Sequence, residues 1–187
     1  WTRRLGASDL GDEESIPNSV TFSYVMRVGD AGPVTGLAGP IFGEFYVFKS
    51  KLVGKLVPTG DDVTPYRYVP ISTTCGALDQ RAIVQIGNTG VAFADATTVY
   101  LASSTSQPTP MSDPISLDLS FTAFSSTAWL AYDQWSQRLM VSPAEASETG
   151  YWFDTVKLRW GTVAWSGQFN RAVTALQDDG GQRLISV

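Results

Sequence analysis

One strand pattern recurs at a nearly constant interval along this chain, and the repeat limits the folds that the chain can adopt. A first apolar strand recurs at intervals of 49, 46 and 44 residues, with centres at Val34, Ile83, Trp129 and Val173. A second strand recurs at intervals of 46, 47 and 45 residues, with centres at Val47, Phe93, Met140 and Ile185. Four short strands in a repeat of roughly 40–50 residues are typical of a β-propeller blade.

The stretch 82–103 indicates how one repeat is built. The run from Gly87 to Gly90 contains residues that tolerate positive φ, which favours a tight first turn. Asp95 can accept hydrogen bonds from the backbone of the second turn. The strands between the turns are rich in small and β-branched residues, which suit a sheet buried on both faces. We therefore predict three consecutive antiparallel strands here.

The repeat predicts an all-β protein made of four-stranded antiparallel blades. We expect a polar loop or connecting segment over 1–19 and propeller blades over 20–187. The predicted blades cover about 33–72, 81–121 and 126–165, with a partial blade at 171–187. The chain would thus hold about three complete blades of a larger propeller in a longer polypeptide. A four-bladed ring closed by the N-terminal strand is the alternative.

Strand bounds follow from the turn residues between the apolar runs. The first blade is predicted to have strands at 33–38, 43–49, 52–58 and 65–72. The segment 20–28 is predicted to be the outer strand of a blade whose other strands lie elsewhere. In the second blade, the Ser/Thr/Pro-rich stretch 103–114 is predicted to be an excursion loop between the third and fourth strands.

Composition excludes several classes of protein. The chain has 187 residues, 43% of them hydrophobic, a net charge of −5 and no histidine. The lack of histidine removes the Ser-His-Asp triad and most zinc sites, and scattered basic residues argue against a phosphate-gripping surface. The sequence contains no run of about 18 apolar residues that would predict a membrane span. We expect no enzyme activity, metal or cofactor, and we expect Cys75 to be a small buried side chain.

Tryptophan is concentrated in the third repeat, which contains five of the six residues of this type. Such rings could form a sugar-stacking platform or a partner-binding hot spot, or they could pack between blades. The candidate partner or glycan contacts are Trp129, Trp135 and Trp152. Aspartates follow aromatic strand ends at Asp133 and Asp154, where we expect them to fix hairpin turns.

Several runs in the first two repeats carry a family resemblance. They are Phe45–Lys49, Tyr66–Ser72, Cys75–Leu78, Ala82–Asn88 and Val91–Asp95, followed by Val99 and Tyr100. Together they resemble the β-propeller structural proteins of tailed bacteriophages, which include tail nozzle, neck and packaged-DNA-stabilising proteins. Near the end of the chain, Asp179–Ile185 also resembles the sequences of these proteins.

The resemblance implies a structural component of a phage virion, located in the tail or neck. It also implies a homo-oligomeric ring, commonly of six copies, around the DNA exit channel, with other tail or neck proteins as partners. DNA would pass without specific binding, and an acidic, lysine-poor surface would suit that passage because it repels phosphate. The alternative, motivated by the tryptophans, is a carbohydrate-binding or host-recognition β-propeller.

A glycosidase-like propeller is the third function considered. It would need two carboxylates roughly 5–9 Å apart in the central channel. The aspartates instead fall in predicted turns at the blade periphery, among them Asp61, Asp95, Asp133 and Asp154. This placement is the reason that we expect no catalytic residues.

Overall fold

The computed structural model describes residues 4–6, 25–27, 32–41, 43–61, 65–103, 107–115, 124–144, 147–164, 172–176 and 182–186. Over these residues the protein is all-β, and its only helices are short 3-10 turns at Gln80–Ala82 and Asp113–Ile115. The strands are β1 (Arg4–Gly6), β2 (Val25–Arg27), β3 (Val34–Ile41), β4 (Glu44–Lys49), β5 (Leu52–Pro58), β6 (Tyr66–Ser72), β7 (Ile83–Ile86), β8 (Gly90–Ala94), β9 (Val99–Ala102), β10 (Thr109–Pro110), β11 (Trp129–Asp133), β12 (Arg138–Ser142), β13 (Thr149–Asp154), β14 (Arg159–Ala164), β15 (Ala172–Leu176) and β16 (Gln182–Ser186).

Three four-stranded antiparallel sheets follow one another along the chain, each with its strands in sequence order. The first sheet is β3-β4-β5-β6, the second is β7-β8-β9-β10 and the third is β11-β12-β13-β14. A two-stranded antiparallel sheet, β15-β16, follows them. The predicted all-β class and the four-stranded antiparallel units are confirmed, and all four predicted strands of the first repeat are present.

The N-terminal part differs from the prediction. β1 lies within the stretch 1–19 that was predicted to be a polar loop, and it pairs with β2, with Leu5 opposite Met26. The strand predicted at 20–28 therefore exists over Val25–Arg27, but it pairs with a strand that was missed. Pairing satisfies backbone N–H and C=O groups that a loop would leave to water.

The fourth strand of the second sheet also differs from the prediction. β10 lies inside the predicted excursion loop 103–114 and pairs with β9, with Pro110 opposite Tyr100. The Met111 N–H donates to the carbonyl of Val99 at 2.7 Å and extends this contact. Proline is tolerated here because an edge strand does not need every N–H, so the prolines that suggested a loop are compatible with a strand. Residues 116–123 lie outside the described part of the chain.

The register of the third repeat is shifted by one residue from the predicted alignment. Tyr132 and Leu139 pair with each other and pack against the second sheet. Trp129 and Met140, the predicted strand centres, therefore lie on the opposite face. Successive strand residues point to opposite faces, so a shift of one residue exchanges the two faces of the strand.

The core lies between neighbouring sheets. Apolar side chains of the first and second sheets form one cluster, and those of the second and third sheets form another. The first strands of neighbouring sheets are in contact, β3 with β7 and β7 with β11, and a Cβ atom on Gly36 of β3 would lie only 2.4 Å from Cδ1 of Ile83 in β7. Larger rings, including Phe153 and Trp160 with centroids 5.0 Å apart, pack between the second and third sheets.

A short 3-10 turn, Gln80–Ala82, connects all three sheets. The Gln80 side chain accepts from the Leu37 N–H at 2.8 Å and donates to the Leu37 carbonyl at 3.0 Å. Arg81 donates to the carbonyl of Ser126, just before the third sheet, at 3.2 Å. The turn is started by Asp79, whose carboxylate accepts from the Arg81 N–H. This turn therefore fixes the spacing of the sheets.

Cys75 is buried, as predicted, in the segment between the first two sheets. Its side chain is 5% exposed and its Sγ lies 3.3 Å from Oγ of Ser72. Burial raises the pKa of the thiol above its ordinary value. The neighbouring Gly76 has no room for a side chain, because a Cβ would overlap the Lys49 carbonyl oxygen. Cys75 is thus part of the packing between sheets.

Candidate partner-binding surface

Two turns with the same construction lie at one end of the third sheet. The turn 134–137 joins β11 to β12, and the turn 155–158 joins β13 to β14. Each follows an aspartate, ends in a residue with positive φ and precedes an arginine. The members are Asp133, Gln137 (φ 52°) and Arg138 in one turn, and Asp154, Leu158 (φ 50°) and Arg159 in the other.

The aspartates fix both turns, as predicted. Oδ1 of Asp133 accepts from the Trp135 N–H at 3.0 Å. Oδ1 of Asp154 accepts from the N–H groups of Val156 and Lys157 at 3.1 and 2.8 Å. The hydrogen bond from Lys157 is the main cause that lowers the pKa of Asp154 below its ordinary value, and burial opposes it. Both carboxylates thus stabilise their turns by accepting hydrogen bonds from backbone N–H groups.

The two turns are joined directly. The N–H and the hydroxyl of Thr155 both donate to the carbonyl of Gln137, each at 2.9 Å. Three apolar side chains project from the joined turns: Trp135 is 64% exposed, Val156 65% and Leu158 74%. We call these three residues the apolar tip. They account for three of the four exposed large hydrophobic side chains in the described part of the chain, the fourth being Leu37.

Positive charge accompanies the apolar tip. Arg138, Lys157 and Arg159 are all exposed. The aspartates of the same turns direct oxygens to backbone N–H groups, and Asp154 is only 6% exposed. The accessible charge here is therefore mainly positive, whereas the whole chain has a net charge of −5. Arginine and tryptophan are enriched among the energetically important residues of protein interfaces.

Trp152 lies on the face of the third sheet opposite the one that packs on the second sheet. Its ring has the guanidinium carbon of Arg138 at 4.7 Å from the centroid and that of Arg159 at 6.0 Å. The ring also lies against Gly161, where an added Cβ would be 2.3 Å from it. Two cation–π contacts and a close backbone contact therefore cover this indole and leave it half-buried.

The structure separates the three predicted contact tryptophans. Trp135 lies at the apolar tip, Trp152 is covered by arginines, and Trp129 is only 4% exposed, which places its ring in the core. Trp160 fulfils the expected role in packing between sheets, because its Nε1 donates to the Met111 carbonyl at 2.8 Å. Trp165 lies outside the described residues.

Sequence reasoning missed two members of the tip, Val156 and Leu158. The available signal was the repeated spacing of aspartate and arginine, Asp133 to Arg138 and Asp154 to Arg159. Aligned on that spacing, Trp135 corresponds to Val156, and Gln137 corresponds to Leu158. Similar turns at the ends of neighbouring hairpins would have indicated a common surface.

Among the described residues, no group of three or more His, Cys, Asp or Glu side chains is arranged to hold a metal ion. No helix among them has the length and apolar character needed to cross a membrane. A scan against protein-family models gave no match, and a search of curated proteins gave none either.

Proposed function

We propose that this chain is a β-propeller structural component of a tailed-phage virion, in the tail or neck, and that copies of it form a ring around the DNA exit channel. Three successive four-stranded antiparallel sheets in chain order, packed face to face, support the propeller assignment. The two-stranded β15-β16 unit, whose strands both contact β11, begins a further blade.

The packing between sheets also supports a radial arrangement. In a propeller, first strands line the centre and outer strands splay apart. Gly36 of β3 lies against Ile83 of β7, and β3 and β7 are the first strands of their sheets. The rings of Phe153 and Trp160 pack between the second and third sheets.

The apolar tip is the observation that carries the proposal of an assembly-forming protein. Scattered single exposed apolar residues are ordinary on a soluble protein, but adjacent ones mark contact surfaces. Trp135, Val156 and Leu158 are all more than half exposed and belong to two turns that are hydrogen-bonded to each other. A virion component that contacts neighbouring subunits would need such a surface.

The acids support a passive role toward DNA. The described aspartates Asp95, Asp133 and Asp154 accept hydrogen bonds from their own turns. The chain has a net charge of −5, and an overall acidic protein repels phosphate and would let DNA slide past. We propose no catalytic role for these carboxylates.

The test is localisation and assembly. The purified protein would be examined by light scattering and electron microscopy, and antibodies against it would be applied to intact phage particles. We expect a ring of many copies and labelling at the tail or neck. A protein that stays monomeric and labels no particle would contradict the proposal.

One observation favours the alternative carbohydrate-binding function. The indole of Trp135 is 64% exposed beside the polar groups of Asp133 and Ser136, which are hydrogen-bonded to each other at 2.7 Å. An exposed ring beside polar groups can stack on a sugar. Saturable glycan binding that is lost in Trp135→Ala, with an unchanged thermal unfolding midpoint, would support this function over the structural one.

A further inference from the structure

We propose that the apolar tip docks on an acidic surface of a second copy of this chain in a head-to-tail contact. The inference rests on the ring-forming function proposed above. It adds the surface that one subunit contributes and the symmetry of the contact.

Leu158 is the first observation behind this inference. Its φ is +50°, a conformation that leucine rarely adopts and that glycine or asparagine adopts far more readily. Its side chain is 74% exposed, so packing within the chain does not explain the choice of leucine. Strained positions of this kind concentrate at functional sites. We therefore assign the leucine side chain to contact with another molecule.

Gln137 provides the internal comparison. It occupies the equivalent position of the neighbouring turn with a φ of +52°, and its side chain is polar and exposed. The same backbone conformation is thus formed twice, once with a polar residue and once with an exposed apolar one. Turn geometry alone does not require an apolar side chain at this position.

Charge selects the occupant and the symmetry. Arg138, Lys157 and Arg159 flank the tip, and the chain as a whole has a net charge of −5. A two-fold contact between tips would bring these cations close to the same cations of the partner. A contact between the tip and a different, acidic surface of the next copy brings opposite charges together. Such heterologous contacts form a ring when the rotation from one copy to the next closes.

Two matched substitutions test the inference. Leu158→Asn removes the apolar side chain and places a residue that tolerates the left-handed conformation in the turn. Gln137→Asn places the same residue at the equivalent left-handed position of the other turn and leaves the three side chains of the apolar tip unchanged. Sedimentation velocity over a range of concentrations would measure self-association, and thermal unfolding would measure stability.

We expect both variants to be at least as stable as the wild type. Leu158→Asn should weaken self-association by roughly tenfold or more, whereas Gln137→Asn should leave it unchanged. Lys157→Glu should also weaken association, and high salt should weaken association of the wild type. Wild-type protein that stays monomeric at every concentration, or Leu158→Asn protein that associates like the wild type, would overturn the inference.

The outcome separates this inference from the proposed function. Labelling of phage tails or necks with unchanged association of Leu158→Asn would refute docking through the tip and leave the virion assignment standing. Tip-dependent self-association without labelling of any particle would refute the virion assignment and leave the docking standing. Binding of the tip only to a different acidic protein would overturn the choice of a second copy as occupant.

Discussion

The third sheet carries two tryptophans near the same end, and they have opposite environments. Trp152 is covered on its ring by two arginines, while Trp135 is 64% exposed. The difference follows from their positions relative to the turn aspartates. Trp152 comes two residues before Asp154 and lies in a strand with neighbours on both sides, whereas Trp135 comes two residues after Asp133 in a turn.

Trp152 is covered by the side chains that lie next to it on the neighbouring strands. Arg138 and Arg159 are each opposite Asp154 in the strand register, so the side chains of both lie on the same face of the sheet as Trp152. Their guanidinium groups replace water over the indole and keep a charged outer surface. No equivalent cross-strand positions exist in a turn, so the tip remains exposed and available for contact.

The largest expected effect is at Gly161. In Gly161→Val the new side chain would overlap the Trp152 ring, which lies 2.3 Å from the position of a Cβ. We expect a loss of about 3 kcal/mol in the free energy of unfolding, measured by urea denaturation. Thr162→Val, at the exposed neighbouring position, should change stability by less than about 0.5 kcal/mol. Equal effects of both substitutions would show that the ring does not require Gly161.

The second prediction compares the tryptophans directly. Trp152→Ala should cost about 2 kcal/mol because a half-buried ring loses contacts with both arginines and with Gly161. Trp135→Ala should change stability by less than about 0.5 kcal/mol, since the ring is mostly in water. Denaturation curves of the two variants would measure the difference. Similar losses would refute the distinction between a covered and an exposed ring.

The third prediction concerns the turn that carries Leu158. The pKa of Asp154 lies below its ordinary value of 3.8 in the folded protein, so the unfolded chain takes up the proton first as the pH falls. The stabilisation is complete above that ordinary value and is lost as the pH falls through the folded value. Asp154→Asn should therefore cost more stability at pH 7 than at pH values below the folded pKa. A cost that is the same at both pH values would contradict this origin.

The smallest expected effects are those of the arginines. Arg138 lies closer to the Trp152 ring than Arg159 does, at 4.7 against 6.0 Å. Arg138→Gln should cost about 0.5–1 kcal/mol and Arg159→Gln less. Double-mutant cycles with Trp152→Leu would isolate each interaction from other effects of the substitution. A larger coupling energy with Trp152 for Arg159 than for Arg138 would contradict the order expected from the two distances.

Much of the fold was predictable from the sequence because turn residues separate the strands. The first repeat was predicted well, with 52–58 matching Leu52–Pro58 and 65–72 close to Tyr66–Ser72. β10 was missed because its proline resembles a loop residue in the sequence, although an edge strand accepts it.

The candidate site was harder to predict than the fold. Alternation along a strand does not say which face becomes buried, so the register of the third repeat was predicted one residue away from its true value. The same uncertainty about faces hid the burial of Trp129, which lies in a strand, whereas Trp135 lies in a turn. The positive φ of Leu158 could not be predicted either, because leucine rarely adopts this conformation.

The side chain of Gln80 has a consequence for solubility. β3 is an edge strand of eight residues, and Leu37 on it is 42% exposed, so it resembles a template on which other chains could aggregate. The Gln80 amide binds both backbone groups of Leu37 and so takes the place of one residue of a further strand. Pro40 removes another backbone donor from the same edge. The glutamine that spaces the sheets therefore also keeps a long β-edge from recruiting strands of other molecules.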